Sequence, residues 1–133
     1  MSERLLILAL FGLCLTIGFA LWRLSEARRL AALARRAAGR VDGGPAILYF
    51  TAPGCAQCRL QQTPILERLL DEVGAPIRLH KVDAIEEGDL ARAYGILTVP
   101  TTVLLDAAGR PRAINHGLAT AERLRAQLRD LVN

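Results

Sequence analysis

The sequence predicts an α/β domain with a mixed four-stranded sheet, in the order β-α-β-α-β-β-α, preceded by a single transmembrane helix. Three observations carry this expectation. Leu5 to Trp22 is an apolar run without a charge. After Pro45, short apolar runs alternate with stretches of helical periodicity. The last two short runs are joined only by Ala107-Ala108-Gly109-Arg110-Pro111, which reads as a tight turn.

The eighteen residues of the apolar run span roughly 27 Å as a helix at ~1.5 Å per residue, close to the thickness of the hydrocarbon core of a bilayer. Trp22 and Arg23 end it as an interfacial anchor. The competing reading is a cleavable signal peptide, with Gly18-Phe19-Ala20 as a small-x-small site. Against that reading, the charged leader is only Arg4 beside Glu3, and no turn residue follows the run. Cys14 follows Gly12-Leu13, which does not suit a lipoprotein cleavage signal. It reads as a filler inside the apolar segment.

Ser25 to Gly39 continues as a helix, with Leu30, Leu33 and Ala34 on one weak apolar face. Val41-Asp42-Gly43-Gly44-Pro45 then breaks it as a linker. The expected organisation is an anchor over 1–23, a basic juxtamembrane helix and linker over 24–45, and a folded domain over 46–133. The formal net charge is +4, but its distribution is uneven. Arg23 to Arg40 holds six arginines against the single Glu26, whereas ten basic and eleven acidic residues follow from Val41 onward. A basic patch beside an apolar segment suits anionic lipid headgroups. No basic residues are interleaved with aromatics in the domain, which argues against nucleic acid.

Within the domain, Ala46 to Thr51 reads as a buried strand between Pro45 and Pro53. Cys58 to Val73 reads as a helix, with Leu60, Ile65, Leu66, Leu69 and Leu70 near one face and a kink at Pro64. Ile77 to Asp83 is a second strand, parallel to the first because a helix joins them. Gly88 to Tyr94 is a short helix, Thr101 to Asp106 a third strand, and Arg112 to Asn115 a fourth, antiparallel to it. Thr120 caps a last helix carrying Leu124, Leu128 and Leu131.

Of the three cysteines, Cys55 and Cys58 form the one close pair, Cys55-Ala56-Gln57-Cys58, at a junction from strand to helix. This spacing lets a disulfide close across one turn. Helix N-terminal N–H groups favour a thiolate on Cys55, so Cys55 is expected to attack as the nucleophile and Cys58, inside the first turn, to resolve the mixed disulfide. The rival reading is zinc, which needs two further ligands. Only His80 and His116 remain, both on predicted strands away from residue 55.

From about Ala46 to Val132 the chain resembles the thioredoxin family. Phe50 precedes the dithiol at the family's spacing, Pro64 takes the place of the kink proline, and Tyr94-Gly95-Ile96-Leu97-Thr98-Val99-Pro100-Thr101 looks like the segment ending in a cis-proline. Gly117 looks like the family's late glycine. The resemblance implies a thioredoxin-like fold and thiol-disulfide exchange. It implies a substrate-binding surface from Gly54, Val99, Pro100 and Gly117, with Pro100 cis beside the sulfurs. An isolated Val-Pro-Thr would read as an ordinary strand opening.

The departures from the family pattern are specific. Tyr49 stands where the family has a buried aspartate, Gly54 where it has tryptophan, and Ala56-Gln57 where it has Gly-Pro. Pro64 comes one residue later than usual, and the first strand and helix of the family are lacking. The arginine-rich helix is a candidate substitute for that missing helix.

The function expected is a thiol-disulfide oxidoreductase acting on protein disulfides or dithiols at a membrane surface. No cofactor is needed, because electrons pass from sulfur to sulfur. A separate redox partner must recharge the dithiol, and residues 5–22 engage the bilayer. A tethered docking module with little turnover and a metal chaperone using the same cysteines are the alternatives. The positive-inside rule places the domain on the cytoplasmic side. The alternative is the extracytoplasmic face, where tethered members of the family are often found.

Overall fold

The structure, a computed structural model, describes residues 1–39, 44–74 and 76–132. The linker expected at 41–45 falls mostly outside these residues. So do the side chains of Leu30, Leu33 and Ala34, on which the weak apolar face is expected.

The elements follow the predicted order. They are α1 (Ser2–Gly39), β1 (Ala46–Thr51), a π-helical turn (Cys58–Gln62), α2 (Thr63–Val73), β2 (Arg78–Asp83), α3 (Gly88–Ala93), β3 (Thr101–Leu105), β4 (Pro111–His116) and α4 (Ala121–Val132). The strands form one mixed sheet in the order β2-β1-β3-β4. β1 runs parallel to β2 and antiparallel to β3, and β4 returns antiparallel beside β3.

Side chains alternate across a strand, so each inner strand feeds two cores. Ala46, Leu48 and Phe50 of β1 point to one face, with Val103 and Leu105 of β3 and with Ala91 and Tyr94. Ile47 and Tyr49 point to the other, with Leu104, Leu66 and Leu69 of α2, and Leu124 and Leu128 of α4. Burial on both faces explains why β1 and β3 read as continuous apolar runs rather than alternating ones. On the first face Phe50 and Tyr94 meet at 6.0 Å between ring centroids.

α1 is one unbroken helix that lies against α3. The helix that includes the arginine-rich stretch therefore touches the domain at α3. The part Ser2–Arg29 is long and apolar enough to cross a membrane, with mean hydropathy 2.5 in its most apolar window. Its large apolar side chains, from Leu5 to Leu24, are all exposed. The Phe19 and Trp22 rings meet at a tilt of 39°, and the Arg23 guanidinium lies 5.9 Å from the Phe19 ring centre.

The helix after the dithiol departs from the expected form. Pro64 does not kink a continuous helix; it sits in the first turn of α2, after the π-helical turn has ended. Leu60, placed by helical spacing on the inner face, is 69% exposed. The cause is the extra residue in the turn, which rotates everything before it relative to α2. Gln62 takes the interior position instead and is fully buried.

Candidate functional site

β1 delivers the chain to a turn at Pro53-Gly54, where the Cys55 N–H donates to the Ala52 carbonyl at 3.2 Å. Gly54 has φ +78°, a left-handed conformation that glycine adopts without strain. Beyond its two chain neighbours no atom lies within 4 Å of where its Cβ would be, and the residue is exposed. The approach to Cys55 is thus uncovered on that side.

Cys55 and Cys58 are bonded to each other, with Cα atoms 5.3 Å apart. Cys55 is partly exposed, whereas Cys58 is 2% exposed in the core beneath α2 and α4. The backbone N–H of Cys58 points at the Cys55 sulfur at 3.2 Å. The Arg59 N–H donates to the Cys55 carbonyl and opens the helical ladder. The two sulfurs therefore differ in access while sharing one turn.

The π-helical turn converges on one atom. The Cys58 carbonyl accepts the Thr63 N–H five residues on, the Thr63 hydroxyl at 2.9 Å and the Tyr49 hydroxyl at 2.9 Å. The Tyr49 hydroxyl also lies 3.1 Å from Thr63 Oγ1. Burial pushes the Tyr49 phenol above its ordinary range, opposed by hydrogen bonding to Thr63 and Thr51. Tyr49 is thus a neutral hydrogen-bonding group at neutral pH. Apart from it, the buried polar side chains among the described residues are Gln62, Thr101, Thr102 and Asn115. None of these is a carboxylate.

The Val99–Pro100 peptide bond is cis. Pro100 is buried, and Val99 packs partly buried against the cluster that holds Cys58. The register then brings in Gly117. Thr101, following Pro100, pairs with His116, so Gly117 leaves β4 at the same end of the sheet. Gly117 has φ +81°, again a glycine conformation. Gly54, Val99, Pro100 and Gly117 are all at or next to the strand ends from which the dithiol turn departs.

The histidines differ in placement. His80 is partly buried on β2, an edge strand, opposite Leu48. His116, expected away from residue 55, is instead at the dithiol end of the sheet, exposed at the end of β4 and next to Gly117, because its register partner is Thr101. In the acidic cluster at the start of α3, Asp89 pairs with Arg92 on the surface. Cys14 lies exposed on α1, far along the chain from the pair.

Two residues that support the dithiol turn from behind are not singled out by the sequence. Thr63 caps the Cys58 carbonyl. Gln62 donates from Nε2 to the Ala119 carbonyl at 3.2 Å and accepts the Ala119 N–H at 2.8 Å. The signal that points to them is the late Pro64, since one inserted residue before it must turn a new side chain inward.

A thioredoxin family model matches residues 40–130. The chain belongs to the thioredoxin family. It is similar to thioredoxin of Bacillus subtilis (strain 168), 34% identical over 62 residues, 47% of this chain and 59% of that protein. It is also similar to thioredoxin of Alicyclobacillus acidocaldarius, 30% identical over 88 residues, 66% of this chain and 82% of that protein. Among solved structures, a mutant thioredoxin from Halobacterium salinarum NRC-1 superposes with a TM-score of 0.59 at 28% identity, over 67% of this chain and 75% of that one. The chain spans less than two thirds of the Bacillus subtilis relative's length. The apolar α1 lies before the family match.

Proposed function

We propose that this chain is a membrane-anchored thiol-disulfide oxidoreductase that exchanges its Cys55–Cys58 pair with disulfides or dithiols of other proteins. One observation carries the reading: two bonded sulfurs share a helix start, one reachable from solvent and the other buried beneath it. Membership of the thioredoxin family supports it.

In the reducing direction, Cys55 starts as the thiolate. The Cys58 N–H at its sulfur and the start of the helix favour that charge. Its sulfur attacks one sulfur of a substrate disulfide. A Cys55–substrate disulfide forms, the substrate S–S bond breaks, and the second substrate sulfur leaves as thiolate. Cys58 then gives up its proton and attacks the Cys55 sulfur. The mixed disulfide breaks, the Cys55–Cys58 bond closes, and the released substrate sulfur ends as a thiol. Among the described residues no buried carboxylate is at hand, so the departing thiolate takes the Cys58 proton, directly or through water. Run backward, the same steps oxidise a substrate dithiol. Val99, Pro100, Gly117 and the open side at Gly54 form the surface on which an extended substrate segment lies. A separate dithiol or disulfide partner resets the pair after each turnover.

α1 is read as a retained membrane span over residues 5–22, with the arginines after it against anionic headgroups. The same rule of charge places the domain on the cytoplasmic side.

The test is insulin reduction by the full chain in detergent micelles, with dithiothreitol as electron source. Precipitation of the insulin B chain faster than with dithiothreitol alone is the expected result. A rate equal to that of dithiothreitol would count against an enzyme and leave a docking module.

A further inference from the structure

We infer that Gln62 is a positioning residue for the exchange, holding the 117–119 loop against the dithiol turn and so setting how protein substrates bind; this rests on the function proposed above. The side chain is fully buried, directly after the turn that begins at Cys58. Both polar ends of its carboxamide are used on the backbone of one residue, Ala119. That pairing is reciprocal and bridges 57 positions of sequence. Ala119 is itself buried in the cluster that contains Cys58.

The bond closes a ring of structure around the sulfurs. From Cys58 the helical backbone leads to Gln62, and the carboxamide passes to Ala119. The loop runs back through Leu118 and Gly117 to His116, which pairs with Thr101. Thr101 follows Pro100 and pairs with Phe50 of β1, which leads back into the dithiol turn. Without Gln62, the ring is open at one point, between the dithiol turn and the loop that carries Gly117. Gly117 is left-handed and Leu118 is exposed, so no other buried polar side chain among the described residues ties that loop to the turn. The inserted residue in the π-helical turn is what seats Gln62 inward, where a regular helix would present a different residue.

A small disulfide needs only the Cys55 sulfur, whereas an extended protein segment needs the loop in place. The variants are Gln62→Met, which keeps length and loses both hydrogen bonds, and Gln62→Glu, which keeps an acceptor for the Ala119 N–H. Each is made in the full chain in detergent, and kinetics are compared on insulin and on a small aromatic disulfide. Amide exchange is followed by mass spectrometry over the peptide containing Ala119. For Gln62→Met, KM for insulin rises about tenfold at unchanged kcat. Its kinetics on the small disulfide stay near wild type, and Ala119 exchanges faster. Gln62→Glu shows a smaller KM rise and retains protection at Ala119. Should Gln62→Met fail to fold, Gln62→Glu decides on the same two substrates. Wild-type KM for insulin in a folded variant overturns the inference, as does an equal loss on both substrates. A wild-type chain inactive on both disulfides defeats the exchange reading itself, and this inference with it.

Discussion

Tyr49 shows how one residue changes the chemistry available to a dithiol. Its phenol donates to the Cys58 carbonyl and offers no base to the Cys58 sulfur. Burial raises its folded pKa above the ordinary value of 10.0. A raised folded pKa means the native state holds the proton more tightly than the unfolded chain. The stability this confers is therefore complete below the unfolded value, near pH 10, and is lost as pH rises through the folded one. Tyr49→Phe should cost about 0.5–1.5 kcal/mol at neutral pH, because the Cys58 carbonyl keeps its bonds from Thr63. It should also flatten the loss of stability above pH 10. Urea unfolding at pH 7 and at pH 10.5 and above measures both effects. An unchanged midpoint at pH 7 and an unchanged alkaline limb would show that the phenol is only a space-filler.

At the scale of elements, the sheet is legible in the sequence because β1 and β3 are apolar on both faces, and because a helix and a turn dictate parallel and antiparallel pairing. The last helix is legible from Thr120, whose hydroxyl accepts the Arg123 N–H at 3.3 Å, and from Leu124 and Leu128. The pair Cys55 and Cys58 is legible from spacing alone. The turn after it is not. A period of 3.6 residues assigns Leu60 to the core, but the ladder there changes to bonds five residues long. The late Pro64 marks the inserted residue, but a local periodicity cannot register what the insertion does to the ladder. Gln62 is hidden for a related reason. A polar residue on a helix reads as surface unless its distant partner is known, and Ala119 becomes a neighbour only once the sheet is built.

For the whole molecule, the decisive relation is between α1 and the domain. α1 runs without interruption from the apolar stretch to Gly39 and is in contact with α3 of the domain. Under the positive-inside rule the excess of arginine after Trp22 predicts a cytoplasmic domain, the orientation proposed above. A reporter that matures only outside the membrane, fused after Asn133, should stay dark. A bright signal would put the domain on the other side and outweigh the local charge.

The central claim is that Cys55 attacks and Cys58 resolves in exchange with other proteins. Thiolate character and access together decide which sulfur attacks, and both favour Cys55. The most direct measurement is non-reducing electrophoresis of the full chain from membranes, after alkylation, for Cys58→Ser, Cys55→Ser and Cys14→Ser. Cys58→Ser should accumulate mixed disulfides that dithiothreitol releases, since attack proceeds and resolution cannot. Cys55→Ser should trap almost nothing, and Cys14→Ser should behave as wild type. Equal trapping by Cys55→Ser and Cys58→Ser, or trapping by neither, would contradict the account.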